Sequence, residues 1–173
     1  MITPEFSHVV TLAEAGPGKT VTLDADEATR VAIAKRLGLV ELDRFEATIE
    51  VRVVAGGIGV SGEVRAKLVQ SCAATGLPVP ATIAEPFALK FLREMPPGDI
   101  EDIEIELGSE EIDVLPLEHD RTDLGEVAVQ TLSLALDPFP RHPDADRILA
   151  QKGVLSEEQA GPFAALAALK GKP

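Results

Sequence analysis

From Arg44 to Leu68 apolar and polar positions alternate. Phe45, Ala47, Ile49, Val51 and Val53 are interleaved with Arg44, Glu46, Thr48, Glu50 and Arg52. After a glycine-rich interruption, Val60, Gly62, Val64, Ala66 and Leu68 alternate with Ser61, Glu63, Arg65 and Lys67. A period of two places successive side chains on opposite faces, so each run is a strand with one buried and one wet face. Two such runs joined by Gly56-Gly57-Ile58-Gly59 form an antiparallel hairpin. Charge selects the register. A tight Gly56-Gly57 turn would set Glu50 opposite Glu63, whereas a loop over residues 56–59 sets Arg52 opposite Glu63 and Glu50 opposite Arg65. Opposite charges across a strand pair stabilise it and like charges oppose it, so the longer loop is expected. Both registers keep the apolar faces together.

Around this hairpin the pattern predicts further elements. A strand over 5–12 ends at Gly16-Pro17-Gly18, and 20–23 is a short extended piece. Asp24, with Glu27 as its capping-box partner, starts a helix over 25–37 with Ala28, Val31, Ala34 and Leu37 on one face; Gly38 stops it. In an extended run over 81–92, Ile83, Glu85, Phe87, Leu89 and Phe91 share a face, and Pro86 marks an edge or a bulge. Residues 111–115 read as another strand. Asp123 and Glu126 have capping-box spacing before a helix over 123–136, whose stripe is Leu124, Val127, Ala128, Thr131, Leu134 and Ala135; Pro138 ends it. A short helix over 144–152 and a last one beginning near Pro162, carrying Phe163, Leu166 and Leu169, complete the chain. The expected fold class is α+β: an antiparallel twisted sheet of about five to seven strands, or a partly closed barrel, with a helix near the N-terminus and a helical C-terminal segment. Residues 1–140 are expected to form the core domain and 141–173 a helical appendage.

Composition narrows the function classes. The 173 residues carry a net charge of −13, and residues 99–120 hold ten acids and no Lys or Arg. The acidity is therefore a local patch, read either as a solvated loop that keeps the protein soluble or as a surface that attracts basic partners and repels nucleic acid locally. The six aromatics are all Phe, which leaves few platforms for base stacking. A single cysteine, Cys72, excludes an intramolecular disulfide and suits a reducing compartment. With no signal peptide and no run of membrane-spanning length, the expected location is the cytoplasm, with no membrane partner.

Candidate chemistry is sparse. Gly57-Ile58-Gly59-Val60-Ser61-Gly62 matches the spacing of a dinucleotide-binding loop, but a strand rather than a helix follows it. His8, His119 and His142 do not stand at metal-ligand spacing with Cys72. No basic neighbour in the local sequence would acidify Cys72, so it reads as a small buried residue at a strand end. No catalytic, cofactor-binding or metal-binding residue is expected, and no cofactor.

Several segments together resemble a known family. They are the run from Val69 to Val79 (VQSCAATGLPV), Glu111-Ile112-Asp113, Asp123-Leu124-Gly125-Glu126 and the run from Leu132 to Pro138 (LSLALDP). This set is similar to the YceD family, the large ribosomal RNA subunit accumulation proteins. The closing block from Gly161 to Leu166 resembles the alphaproteobacterial branch of that bacterial family. Many members have Cys-x-x-Cys where this chain has Cys72-Ala73-Ala74-Thr75, and many end in a cysteine-rich tail that this chain lacks. One thiolate does not make a four-ligand zinc site. The resemblance implies a non-catalytic role in ribosome biogenesis, supporting accumulation or processing of large-subunit rRNA.

Two partner surfaces follow. Arg52, Arg65 and Lys67, with Arg44, would meet the phosphates of precursor or mature rRNA. Glu101, Asp102, Glu104 and Glu106 would hold a basic ribosomal or assembly protein. Cys72, Asp123 and Glu126 lie in the family-like segments and join the candidate partner-binding set. The alternative class is a small-ligand-binding or thiol-dependent enzyme centred on Cys72, which requires a pocket converging on the thiol with a His in reach.

Overall fold

The computed structural model describes residues 4–94 and 113–154. Two compact units are distinguished: residues 1–69 with 80–136, and residues 70–79 with 137–173. The acids at 101–106 and the last expected helix lie outside the described residues.

The first unit is α+β. Strands β1 (Val9–Thr11), β2 (Lys19–Asp24), β3 (Glu41–Val54), β4 (Gly57–Ser71), β5 (Pro78–Leu92), β6 (Asp113–Pro116) and β7 (Arg121–Asp123) are accompanied by helices α1 (Leu12–Ala15), α2 (Glu27–Leu37) and α3 (Leu124–Ala135). Five strands form a sheet in the order β2-β3-β4-β5-β6, and β1 pairs with β7. The sheet is open, not a barrel, among the described residues. It is also not wholly antiparallel, because β6 pairs parallel with β5, Leu89 opposite Asp113 and Leu92 opposite Pro116. Pro86 precedes Leu89–Leu92, the stretch of β5 that pairs with β6 among the described residues.

The β3–β4 hairpin forms as the alternation predicts, but in a different register. Val54 pairs with Gly57 across a two-residue Ala55-Gly56 turn, which puts Gly59 opposite Arg52, Ser61 opposite Glu50 and Arg65 opposite Glu46. Gly56 takes φ +81°, which suits glycine. The expected cross-strand pairs are not made, because the charges satisfy each other along each strand. Arg44 holds Glu46 at 2.6 Å and Arg65 holds Glu63 at 2.9 Å. Gly57 and Gly62 are strand residues whose missing side chains admit backbone. A Cβ on Gly57 would sit 1.8 Å from the Phe91 carbonyl oxygen, and one on Gly62 2.2 Å from that of Thr48. The glycine series is thus a device of close strand approach and not a nucleotide-binding loop.

The core lies on the apolar face of the sheet. Phe45, Ile49, Val51, Ile58, Val64 and Leu68 are buried with Ile33 of α2 and Leu124, Val129 and Leu132 of α3. Helix α2 is capped by Asp26, which accepts from the Thr29 N–H at 2.8 Å. The expected cap, Asp24, instead pairs with Glu46 as the last residue of β2. The buried residues of α2 are Ile33 and Ala34, and Val31 faces solvent at 65% exposure. In α3, Leu132 is buried and Leu134 is 88% exposed, so Leu134 leaves the expected stripe. Helix α1, which the alternation does not announce, is closed by a full capping box between Thr11 and Glu14.

The second unit is described at residues 70–79 and 137–154. It contains the end of β4, the turn into β5, a proline-rich strap and α4 (Ala145–Gln151). Gly153 follows α4 at φ +79°, a helix stop of the expected kind.

Candidate functional site

The wet face of the sheet in the first unit carries Arg44, Glu46, Glu50 and Arg52 on β3 and Glu63, Arg65 and Lys67 on β4. The register sets Lys67 opposite Arg44, next to a bulge at Asp43. Arg44 and Arg65 are engaged by their strand neighbours. The Arg65 guanidinium holds the Glu63 carboxyl below the ordinary carboxylate range, against an opposing desolvation. Such exposed pairs are screened by water and salt and rearrange easily. Arg52 and Lys67 have no salt bridge among the described residues. Acids and bases are interleaved on this face, so a phosphate approaching it meets a nearly compensated field.

Asp123 and Glu126 form a structural knot in the first unit. The Asp123 carboxylate accepts from the Gly125 and Glu126 N–H groups at 3.0 and 3.3 Å, which caps α3. It also accepts from the Ser7 hydroxyl at 2.5 Å and the His8 N–H at 2.8 Å, fastening the N-terminal segment. Glu126 does not complete a capping box. Its carboxylate takes two hydrogen bonds from Arg36 of α2, at 2.8 and 2.6 Å, and one from Gln130 at 3.0 Å. The Arg36 guanidinium holds the Glu126 carboxyl below its usual range; partial burial opposes this and the Gln130 amide adds to it. Arg36 also meets Glu5 at 3.2 Å.

Cys72 sits in a tight turn of the second unit. Its N–H donates to the Leu77 carbonyl and its own carbonyl accepts from the Gly76 N–H, both at 2.8 Å. Gly76 takes φ +74°, the left-handed conformation that glycine adopts without strain. The strap 137–142 is tied to this turn. The Gln70 side chain donates to the Asp137 carbonyl at 2.9 Å, the Ala73 N–H to the Pro140 carbonyl at 2.8 Å, and the His142 N–H to the Cys72 sulfur at 3.3 Å.

The thiol is acidified by hydrogen bonds and not by a basic neighbour. The Thr75 hydroxyl, then the His142 N–H, and less strongly the Ala74 and Thr75 N–H groups bring its pKa down to about 7, while burial pulls the other way. The donors are neutral, and one of them comes from seventy residues along the chain. The His142 imidazole is not the acidifying group; its Nδ1 accepts from the Asp144 N–H at 3.1 Å. Cys72 is 3% exposed, which closes it to a bulky substrate. No group of three His, Cys, Asp or Glu side chains gathers for a metal among the described residues. With Thr75 at the second position of the Cys-x-x-Cys pattern and a backbone N–H occupying the sulfur, this turn does not fit zinc.

A titration tests this environment. Thiolate absorbance is expected to rise with a midpoint near pH 7 in the folded chain, and near 8.5 in denaturant. Because the folded value is depressed, the thiolate's contribution to stability is full above the unfolded value and is lost as pH falls through about 7. Cys72→Ser should remove that slope between about pH 7 and 9. A folded midpoint at or above the denatured one would show that the hydrogen bonds do not form.

No curated protein and no solved structure matches this chain. The family model described as large ribosomal RNA subunit accumulation protein YceD matches residues 60–170. That span is more than half of the chain and runs from β4 through α4, taking in the Cys72 turn, Asp123 and Glu126. The description names the accumulation of an RNA and no reaction. Among the described residues no helix is long and apolar enough to cross a membrane. By this match the chain belongs to the YceD family, the large ribosomal RNA subunit accumulation proteins.

Proposed function

We propose that this chain is a non-catalytic accessory factor of large-subunit biogenesis that supports rRNA accumulation by holding a basic ribosomal or assembly protein. The family match over residues 60–170 carries the first half of this reading. Charge carries the second. The chain is at −13, with ten acids in residues 99–120, and a cationic protein is the partner such a charge draws from a distance. The partner-binding residues of this reading are Glu101, Asp102, Glu104 and Glu106.

A second reading assigns rRNA itself to the sheet face through Arg52, Arg65 and Lys67. It is favoured by the absence of a salt bridge on Arg52 and Lys67 among the described residues. The interleaved acids weaken it, because counterion release scales with the phosphates neutralised. A cytoplasmic location fits both readings.

Crosslinked pull-downs separate them. Neutralising Glu101, Asp102, Glu104 and Glu106 is expected to abolish recovery of basic ribosomal proteins, and rRNA is lost with them. Neutralising Arg52, Arg65 and Lys67 is expected to leave both in place. Loss of rRNA alone in the second variant would make the sheet face the site. Full retention in both variants would remove both surfaces.

A further inference from the structure

A groove of about 550 Å³ lies in the first unit between α3 and the strands β5 and β6. Its apolar lining includes Phe87 and Leu89 of β5, Leu115 of β6 and Leu134 of α3. Leu134 is 88% exposed and Leu115 37%. These side chains are open for a reason that lies in the sheet. Strand β6 is four residues long and begins at Asp113, opposite Leu89, so β5 runs on past it toward Glu85 with no strand on that side among the described residues. Among the described residues an apolar face is thereby left without a cover on this part of the sheet.

The charged residues that line the groove are Glu85 and Asp113, joined by the amide of Gln130 and the hydroxyl of Thr131. No Lys, Arg or His is among the described lining residues. Thr131 is spoken for, donating to the Val127 carbonyl at 2.9 Å. This combination discriminates between occupants. A nucleic acid would bring phosphates against carboxylates. A second copy packed by a two-fold would set this acidic rim against itself. A fatty acid would place its carboxylate against the same rim. A peptide that offers aliphatic side chains to the floor and ammonium or guanidinium groups to the rim satisfies both features. The volume is that of cavities that bury a compact ligand or a few anchoring side chains.

We propose that this groove is the docking site for a short amphipathic basic peptide segment, with Phe87, Leu89, Leu115 and Leu134 taking its aliphatic side chains and Glu85 and Asp113 its cations. The proposal rests on the reading of the chain as a holder of a basic protein, and gives that partner a second, apolar point of attachment outside residues 99–106.

The test uses the purified full chain and a short labelled leucine–lysine peptide, read by fluorescence anisotropy. Leu134→Asp is made at a solvent-facing position, so folding is preserved. The Glu85→Lys/Asp113→Lys pair reverses the rim, and Glu27→Lys on α2 is the control for total charge. The expected result is binding to the parent chain and to Glu27→Lys alike, weakened about tenfold or more by either groove variant, which is about 1.4 kcal/mol. A leucine–glutamate peptide should bind at least about tenfold more weakly than the lysine one. Equal affinity across all variants, equal binding of the two peptides, or no binding to the intact chain would overturn the proposal. So would a dimer that Leu134→Asp dissolves, which would make the groove a self-interface. Because the readout needs no ribosomal component, its failure is distinct from failure of the pull-downs.

Discussion

Gly57→Ala is expected to lower stability by about 3 kcal/mol or more, as severe overpacking does. For a chain of this size that is a fall of roughly 6–12 °C in Tm. The cause is geometric. The added carbon would lie 1.8 Å from the Phe91 carbonyl oxygen and 2.8 Å from its carbon. Both are backbone atoms of β5, so no rotamer change relieves the overlap, and β4 and β5 would have to part. The φ angle of Gly57 is not in the left-handed region, so chain flexibility is not the issue. Gly59→Ala is the internal control. There the nearest atom is a Val54 methyl at 2.8 Å, a side chain able to move, and a loss of about 1 kcal/mol is expected. Thermal unfolding of the two variants checks the ranking, and a Gly59 loss equal to or above that of Gly57 would refute it. The separation should also reach the groove, since Phe91 pairs with Leu115 of β6. Gly57→Ala is therefore a poor choice for any binding experiment on that face.

The same hairpin shows what a sequence discloses and what it withholds. Alternation from Arg44 to Lys67 is a local property, so the two strands and their buried faces could be read directly. Register was not legible, because it depends on which partner each charge selects. Arg44 and Arg65 chose carboxylates two residues away on their own strands, and the cross-strand argument lost its force. Gly62 was expected in the second strand and lies there, whereas Gly57 and Gly59, expected in the loop, also belong to β4. The role of Gly57 and Gly62 is set by the approach of Phe91 and Thr48, which no local pattern encodes. Helix α3 and its cap at Asp123 were readable, whereas the cap of α2 moved from Asp24 to Asp26 because β2 claimed Asp24 for pairing. The parallel β5–β6 pair had no local signal at all. In the candidate site the buried place of Cys72 at a strand end was visible, but a donor brought from residue 142 was not. The groove became visible only when Leu134 proved to lie off the buried stripe of its helix.

Asp123 carries the next largest expected effect, and it bears on how binding data on this family segment should be interpreted. Asp123→Ala removes an N-cap, worth about 1 kcal/mol. It also strands the Ser7 hydroxyl and the His8 N–H, which now bond the carboxylate at 2.5 and 2.8 Å. At about 0.5–1.5 kcal/mol for each of those bonds, the total loss should be about 2–4 kcal/mol. Asp123→Asn keeps one oxygen for the helix N–H groups and should lose less. The damage should also be directional. The Leu124 N–H donates to the His8 carbonyl at 2.9 Å, and the Phe6 ring lies 5.5 Å from that of Phe45, so the N-terminal segment is held by contacts that depend on this one carboxylate for their alignment. Hydrogen exchange at Leu124 and at Val10 of β1 should accelerate in Asp123→Ala, while amides in the β3–β4 hairpin keep their protection relative to global stability. Uniform acceleration across the hairpin would mean that the N-terminal segment is not a separable unit and that the clamp has been misplaced. If the partner is held elsewhere, Asp123→Asn should retain basic ribosomal proteins in the pull-down at temperatures where it is fully folded. Loss of the partner from a folded Asp123→Asn chain, with exchange at Leu124 unchanged, would return Asp123 from the scaffold to the binding surface.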